Sequence, residues 1–322
     1  MTGAGGRIVV MGQCTIDDIY PLEGAPMLGT VGGAAVFAAL GAVMSRVPVT
    51  LVSVVGRDYP IDDLAAQVRG VRLAVRRTGR ASIHDACHFL PDGTRRYDFE
   101  DWGALDELTP TPADIPADLG GAGPARVHLT PASVAMQIEL AEALVSLGAE
   151  VGADTETHFF RACPERLLRL AAMCTYFMPS LEHLELLFGR SGSDSSAWAD
   201  DIFALGCPWV VVKEGARGAR VFDRARLRSI HVGPVPGLAV RDVTGAGDAF
   251  CGGFMAGVAR GLDPVRAACA GTAAASFIVE STGARLPAHY TPRRFAARYR
   301  RVCAGSAVPT RDGERGSDGD EG

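Results

Sequence analysis

The sequence predicts an α/β fold with a mostly parallel sheet. Short runs rich in β-branched residues alternate with longer segments of helical periodicity, and this alternation is typical of βαβ units. The chain has 322 residues, of which 48% are hydrophobic, so it can bury a large core. A chain of this length and class can form one large domain with a small appendage.

The predicted strands are short and apolar, as buried parallel strands usually are. They lie at residues 7–12, 49–56, 125–130, 149–154, 174–179, 208–213 and 219–222. The predicted helices carry apolar residues at helical spacing. They lie at residues 33–45, 60–69, 133–148, 165–173, 181–189, 195–206, 249–261, 263–281 and 291–302.

Two intervals interrupt this alternation. Residues 13–31 and about 74–106 are rich in turn formers and alternating patterns. We expect them to form antiparallel strands of a small lid over the edge of the sheet. Residues 304–322 lack a core pattern and are expected to be a disordered tail, which leaves a folded domain at residues 1–303.

Composition and charge argue against several classes of protein. The net charge of −5 gives no support to nucleic-acid binding, and no apolar run reaches the roughly 18 residues of a membrane span. The N-terminus leads directly into a strand without the regions of a secretory signal, so a cytoplasmic location is expected. The eight cysteines lack the spacing of a metal site and are expected to be reduced thiols.

The most informative stretch is residues 242–250, DVTGAGDAF, which precedes a helix of small residues. Gly245, Ala246 and Gly247 can present backbone N–H groups at a helix N-terminus, which attracts phosphate or a developing oxyanion. Asp248 lies in the first turn and could take a proton from a hydroxyl that attacks a phosphoryl group. A tight turn followed by an ordinary first-turn carboxylate would give the same bare pattern.

This stretch resembles the second signature of the ribokinase-like (PfkB) carbohydrate kinases, DTTGAGDAFxGGF, with Val243 as the departure. The resemblance extends over residues 6–300. It implies a ribokinase-like three-layer α/β/α sandwich with a small β lid, through which many members form homodimers. It also implies an ATP-dependent kinase that uses Mg²⁺ and phosphorylates a hydroxyl of a sugar or sugar-like polyol.

The resemblance also implies a substrate side near the N-terminus. Asp17 matches the residue that binds sugar hydroxyls, although Asp17 or its neighbour Asp18 could simply cap a turn. Gly32 and Gly33 match a pair that lets the backbone approach the substrate. Phe37 replaces the usual Asn and changes a pocket contact. Similar GGxxxF forms occur in inositol-kinase-like members, which keeps a cyclitol open as the acceptor.

On the nucleotide side, WVVVKEGARGARVF resembles a segment in which Lys213 would point toward the ATP phosphates and Gly215 and Gly218 would shape the loop. A β-hairpin turn would explain the same glycines. Thr244, and Gly271 in the helix that would flank adenine, complete the expected nucleotide contacts.

The expected metal ligands depart from the family pattern. In MPSLEHLELLFG, which resembles a PNxxE element that helps to hold Mg²⁺, Ser180 replaces Asn and His183 replaces Glu. We therefore expect the neighbouring Glu182 or Glu185 to serve through water, with Asp154 as a second acidic candidate.

The resemblance also implies a monovalent cation site, suited to K⁺. Four positions match it, namely Asp242, Thr244, Ser281 and Gly283.

Three functions are compatible with these residues. The leading one is a kinase for a sugar or sugar-like polyol, and the nearest alternative is a nucleoside kinase of the same fold. The third is a non-catalytic ligand-binding relative. Ser180 and His183 argue for it, whereas the complete GAGD motif argues against it.

Overall fold

The computed structural model describes residues 6–91, 95–98, 104–119, 124–192 and 194–306. The strands are β1 (Ile8–Met11), β2 (Thr15–Tyr20), β3 (Met27–Gly32), β4 (Val49–Val55), β5 (Val71–Arg77), β6 (His84–Phe89), β7 (Arg95–Asp98), β8 (Arg126–Leu129), β9 (Glu150–Ala153), β10 (Tyr176–Phe177), β11 (Trp209–Lys213), β12 (Ala219–Asp223) and β13 (Arg228–Val232). The helices are α1 (Ala34–Met44), α2 (Ile61–Gln67), α3 (Ala104–Glu107), α4 (Val134–Ser146), α5 (Thr157–Ala162), α6 (Pro164–Met173), α7 (Leu181–Phe188), α8 (Ala199–Ala204), α9 (Ala246–Ala259), α10 (Pro264–Ile278) and α11 (Pro292–Gly305).

The described strands form a large main sheet in the order β13-β12-β11-β10-β9-β8-β1-β4-β5. Neighbouring strands from β11 to β5 are parallel, whereas β12 and β13 add an antiparallel edge. Every residue of β1 and β4 is buried. Continuous apolar strands of this kind are expected where helices cover both faces of a parallel sheet.

The side chains of β1 divide between two cores. Ile8 and Val10 pack in the core that contains α1, α9 and α10, whereas Val9 and Met11 pack in the core that contains α4, α6 and α8. Successive residues of a strand point to opposite faces, so this division places one helical layer on each side of the sheet. The predicted three-layer α/β/α sandwich is confirmed.

A second sheet, in the order β3-β2-β6-β7, is built from both predicted lid segments. Its outer pairs are antiparallel, but the central pair of β2 and β6 is parallel, unlike the antiparallel arrangement expected. The reason is topological: β2 follows β1 and β6 follows β5, and both preceding strands run in the same direction through the main sheet.

Several predicted boundaries need correction. Residues 71–77 form the edge strand β5 of the main sheet, so this part of the 74–106 segment is not in the second sheet. Its exposed outer positions gave it the alternation of a lid strand. Strand β13 was not predicted because it is a short, polar edge strand. Helix α11 continues through Gly305, past its expected end at residue 302 and into the first residues of the expected tail. Residues 307–322 of that tail lie outside the described residues.

Two further expectations concern the whole chain. All eight cysteines have free thiols. In the part of the chain that the structure describes, no helix has the length and apolar character needed to span a membrane.

Candidate active site

A cavity of about 770 Å³ lies between the second sheet and the carboxyl ends of the parallel strands. Strands β2, β6 and β7 line one wall, and the N-terminal ends of α1 and α9 and the residues that follow β9 line the other. Ligands of open α/β sheets bind at this edge, where loops and helix N-termini converge. The cavity gathers six of the predicted site residues: Asp17, Gly33, Phe37, Thr244, Gly245 and Asp248.

The predicted anion-binding turn forms the start of α9. Gly245 is the N-cap residue with a φ of 70°, a conformation that favours glycine. The N–H of Ala246 donates to the carbonyl of Val243 at 3.2 Å. One of the three expected donors is therefore already engaged within the turn, which leaves the N–H groups of Gly245 and Gly247.

Asp248 lies in the first turn of α9 and faces the cavity. Partial burial raises its pKa from 3.8 to about 7, and the charge of Asp154 adds to this effect while that of Lys213 opposes it. A carboxylate with a pKa near 7 holds a proton more tightly than an ordinary aspartate. It is therefore well matched to accept a proton near neutral pH.

The two adjacent aspartates have different environments. Asp17 lines the cavity and accepts a hydrogen bond from the Thr15 hydroxyl at 2.5 Å. Asp18 instead accepts the N–H of Gly29 within the second sheet, at 2.7 Å. Burial raises the pKa of Asp17 to about 7.

The two predicted glycines of the substrate side have separate roles. A Cβ on Gly32 would lie 1.8 Å from Oδ2 of Asp17, so this glycine makes room for the carboxylate. Gly33 is the N-cap of α1 with a φ of 97°, and a Cβ there would meet the carbonyl of Gln13 at 2.7 Å. Both positions are therefore closed to larger residues for steric reasons.

Phe37 does more than contact the cavity. Its side chain is 3% exposed, and a Cβ on Gly245 would lie 2.1 Å from Cγ of the ring. The ring thus packs directly against the turn that begins α9. The ring also lines the cavity, so its predicted contact with substrate stays a prediction.

Two carboxylates of the cavity were missed by sequence reasoning. Asp85 lies opposite Asp17 in the register of β2 and β6, and burial raises its pKa to about 6. Glu156 follows β9. Although water reaches it through the open cavity, the surrounding protein raises its pKa to about 7, and the charges of Asp154 and Asp85 add to this. Only the position of Glu156 after a predicted strand end could have signalled it.

Lys213 lies close to the anion-binding turn. Its ammonium group pairs with Asp154, and a Cβ on Gly247 would lie 3.5 Å from Nζ. Burial alone would lower the pKa of Lys213, but the charge of Asp154 outweighs this and raises it. The lysine is therefore charged beside the place where α9 begins, consistent with its predicted orientation toward phosphate.

The structure does not bring the expected magnesium ligands to the cavity. Glu182 is exposed, and Glu185 accepts the N–H of Gly192 at 3.2 Å. His183, which lies between them on α7, points inward instead, with Nδ1 3.9 Å from Oδ1 of Asp154. Burial lowers the pKa of His183 to about 4, so this histidine is neutral and is no substitute for a glutamate.

Three expected nucleotide contacts have a structural explanation. Gly215 and Gly218 shape the turn between β11 and β12, with φ values of 59° and 98°. A Cβ on Gly271 would lie 2.6 Å from the carbonyl of Phe250, so this glycine allows α9 and α10 to pack closely. None of the three lines the cavity, and their contact with nucleotide stays a prediction.

The four residues of the predicted monovalent cation site lie in segments that meet, since the N–H of Asp242 donates to the carbonyl of Val279, near the end of α10. Asp242 is 1% exposed and accepts the N–H of Thr244 at 2.9 Å. The Ser281 hydroxyl lies within 3.3 Å of two backbone carbonyls, and Gly283 has a φ of 75°. The carboxylate of Asp242 is paired with Arg95 of β7, so a cation of the protein itself contacts it.

A glycine-rich helix start, a carboxylate of raised pKa and a cavity covered by a small sheet are the features expected of a kinase of the α/β class. Residues 7–290 match the model of the pfkB family of carbohydrate kinases. The chain belongs to this family and is an ATP-dependent kinase.

Relatives and solved structures agree with this assignment. A cytidine kinase of Thermococcus kodakarensis is 28% identical over 262 residues, which cover 79% of this chain and 89% of that protein. A nucleoside kinase of Methanocaldococcus jannaschii is 21% identical over 297 residues, 88% of this chain and 93% of that protein. The structure of Arabidopsis thaliana ribokinase with ribose and ATP superimposes with a TM-score of 0.70 at 22% identity, over 92% of this chain and 99% of that one. The predicted ribokinase-like fold is thereby confirmed.

Proposed function

We propose that the protein transfers the γ-phosphoryl group of ATP to a primary hydroxyl of a sugar or sugar-like polyol. The observation that carries this proposal is that Asp17 and Asp248 face one cavity from different elements, the lid strand β2 and the start of α9. A carboxylate that binds hydroxyls and a carboxylate that can accept a proton then contact the same acceptor.

The chemistry is a direct displacement. Asp248 orients the acceptor hydroxyl and takes its proton as the oxygen attacks the γ-phosphorus, while the bond from the γ-phosphorus to the bridging oxygen breaks and ADP leaves. The N–H groups of Gly245 and Gly247 stabilise the charge on the transferred group, and Lys213 adds a positive charge beside them. The reaction requires no covalent intermediate on the protein.

Asp154 and Glu156 are the residues that we propose for the magnesium side of the site, in place of Glu182 and Glu185. Mg²⁺ is commonly held by one or two carboxylates, several waters and the phosphates of the substrate. Asp154 and Glu156 supply two such carboxylates directly after β9. Among the described residues, no group of three or more His, Cys, Asp or Glu side chains is arranged to hold a metal. The charge of Asp154 helps to raise the pKa of Glu156, so a divalent cation held by these two carboxylates would relieve their repulsion. When bound, Mg²⁺ neutralises phosphate charge.

A nucleoside is the second candidate acceptor. The names of the relatives from Thermococcus kodakarensis and Methanocaldococcus jannaschii support it. The cavity also has aromatic lining beyond the carboxylates, Tyr97 and His158, on which a base could stack. A cyclitol has less support than a nucleoside, because the case for it depended on Phe37, whose ring is buried against Gly245.

The second sheet is the proposed lid, and its closure would exclude water from the phosphoryl group. Homodimer formation through the lid, a cytoplasmic location and a requirement for K⁺ remain predictions from the resemblance and the sequence. The non-catalytic alternative is disfavoured by the retention of Asp248 with a pKa suited to a base.

The test is ADP formation from ATP and Mg²⁺ with separate panels of pentoses, hexoses, cyclitols and nucleosides. Asp17→Asn and Asp18→Asn form a matched pair, because only the first side chain faces the cavity. We expect turnover of one acceptor class, with a raised acceptor KM in Asp17→Asn and little change in Asp18→Asn. Equal effects of the two substitutions, or turnover without any acceptor preference, would refute the assignment.

A further inference from the structure

Asp242 is a buried carboxylate directly before the anion-binding turn. Its side chain is 2% exposed, and its Oδ1 atom accepts the N–H of Thr244 at 2.9 Å. Thr244 is followed by Gly245, the N-cap of α9. A shift of this carboxylate would therefore also shift the backbone N–H groups of the turn. A buried carboxylate without a countercharge is strongly unfavourable. The group that neutralises Asp242 therefore helps to determine the conformation of the turn.

The countercharge comes from the second sheet. A terminal guanidinium nitrogen of Arg95, on β7, lies 3.0 Å from Oδ1 of Asp242, and the Arg95 side chain is 14% exposed. The guanidinium also lies over the ring of Phe89, 4.8 Å from its centre. These contacts hold the charge in one place.

A second contact links the same strand to the same segment. Tyr97 lies two residues after Arg95, on the same face of β7, and its hydroxyl is 3.3 Å from the hydroxyl of Thr244. Two side chains on the same face of β7 thus contact the segment before α9. Displacement of this strand would remove the positive charge from Asp242 and the hydroxyl contact from Thr244 together.

We propose that Arg95 is a positioning residue for phosphoryl transfer. It supplies from the lid the countercharge of Asp242, and it thereby fixes the turn at Gly245 when β7 is in place. Because this charge belongs to the chain, the kinase needs no monovalent cation at Asp242, contrary to the expectation of a K⁺ site. The activity readouts of this inference rest on the proposed function.

The kinetic test compares wild type, Arg95→Ala and Arg126→Ala in a KCl titration, with choline chloride keeping the ionic strength constant. Arg126 is the matched control, since it forms a partly buried ion pair with Glu150. This pair lies at the amino ends of β8 and β9, whereas the cavity lies at their carboxyl ends. We expect wild type and Arg126→Ala to be indifferent to K⁺. Arg95→Ala should lose roughly tenfold or more in kcat, with a smaller change in acceptor KM, and should recover with K⁺ but not with choline.

Two results would overturn the proposal. Activation of wild type by K⁺ would show that Arg95 does not replace the cation. A loss in Arg95→Ala that K⁺ does not restore would show that Arg95 acts on the phosphoryl group or on the fold.

Thermal unfolding provides a readout that does not depend on turnover. K⁺ should raise the Tm of Arg95→Ala more than choline does, and this difference should be absent from wild type and from the double variant Arg95→Ala/Asp242→Asn. A wild type that turns over no acceptor would refute the proposed function, whereas this cation effect would still support or contradict the role of Arg95. A cation effect that persists without the Asp242 carboxylate would overturn that role.

Discussion

Replacement of the proposed base should separate activity from stability. In Asp248→Asn the shape of the side chain is retained but the proton acceptor is lost, so we expect kcat to fall roughly 10²- to 10⁴-fold. The same change should stabilise the protein at alkaline pH. The native state raises the pKa of Asp248 from 3.8 to about 7, mainly by burial, and so opposes ionisation of the group.

The sign and size of the stability effect follow from proton linkage. Between about pH 4 and pH 7 the native carboxyl binds more protons than the unfolded one, so its contribution to the free energy of unfolding declines as pH rises. An elevation of this size corresponds to at most about 4 kcal/mol. Because the side chain is only partly buried and faces an open cavity, we expect about 1–2 kcal/mol.

The assay is urea unfolding at about pH 5 and about pH 8, alongside kcat. Asp248→Asn should gain more stability at the higher pH. Asp58→Asn is the control of opposite sign, because hydrogen bonds from Ser82 and His84 outweigh burial and lower the pKa of Asp58 to about 2. That variant should lose stability, and by the same amount at both pH values, because Asp58 titrates below about pH 4 in the native and the unfolded state. Retention of activity in Asp248→Asn, or an equal gain at both pH values, would refute the assignment of Asp248.

Three further predictions concern the same cavity. Gly32→Ala should raise the acceptor KM roughly tenfold with a smaller effect on kcat, since the added methyl group would displace the carboxylate of Asp17. Gly245→Ala should lower kcat roughly tenfold to a hundredfold, because the methyl group would collide with Phe37 and distort the turn. For wild type, kcat/KM should rise with pH and level off above about 7, as Asp248 and Asp17 lose their protons.

Each of these predictions has a control or a contradicting result. Gly79→Ala adds a methyl group in open space and should leave the acceptor KM unchanged. Gly237 has a φ of 72° but no neighbour within 4 Å, so Gly237→Ala carries the backbone strain of Gly245→Ala without its collision. If Gly245→Ala and Gly237→Ala have the same kcat, the proposed role of the turn at Gly245 in catalysis is wrong. A kcat/KM that does not change between about pH 5 and pH 8 would contradict both raised pKa values.

The parts of the site that the sequence predicted are tied to the backbone of regular elements. Gly33 and Gly245 begin helices, and both helices start at the edge of the sheet where the parallel strands end. Periodicity locates such helices and strands, and the topology of a parallel sheet then places their ends together. For this reason the motif residues converge on one cavity although they lie far apart in sequence.

The residues that escaped prediction depend on long-range pairing or on the rotation of a helix. Asp85 meets Asp17 only because β2 and β6 pair in a particular register, which no local pattern specifies. Glu182 and Glu185 were expected at the site from their proximity to His183 in sequence. Each residue of a helix is rotated by about 100° from the last, however, and of these three residues it is His183 whose side chain faces Asp154.

The contact between Arg95 and Asp242 could not be predicted either. It joins residues that are far apart in the sequence, and an arginine in a polar, alternating strand gives no sign of its partner. The same limitation explains the edge strands. Residues 71–77 have the alternation of a lid strand because one side of β5 faces solvent, and only its pairing with β4 shows that it belongs to the main sheet.

The central claim is that Asp248 serves as the base for phosphoryl transfer to an acceptor held by Asp17. The most direct measurement follows the label of γ-³²P-ATP into each acceptor of the panel, with wild type and Asp248→Asn side by side. We predict a labelled acceptor phosphate from wild type, and a rate lower by roughly 10² or more from the variant at unchanged ATP affinity. Labelled inorganic phosphate alone, or equal labelling of the acceptor by both proteins, would contradict the claim.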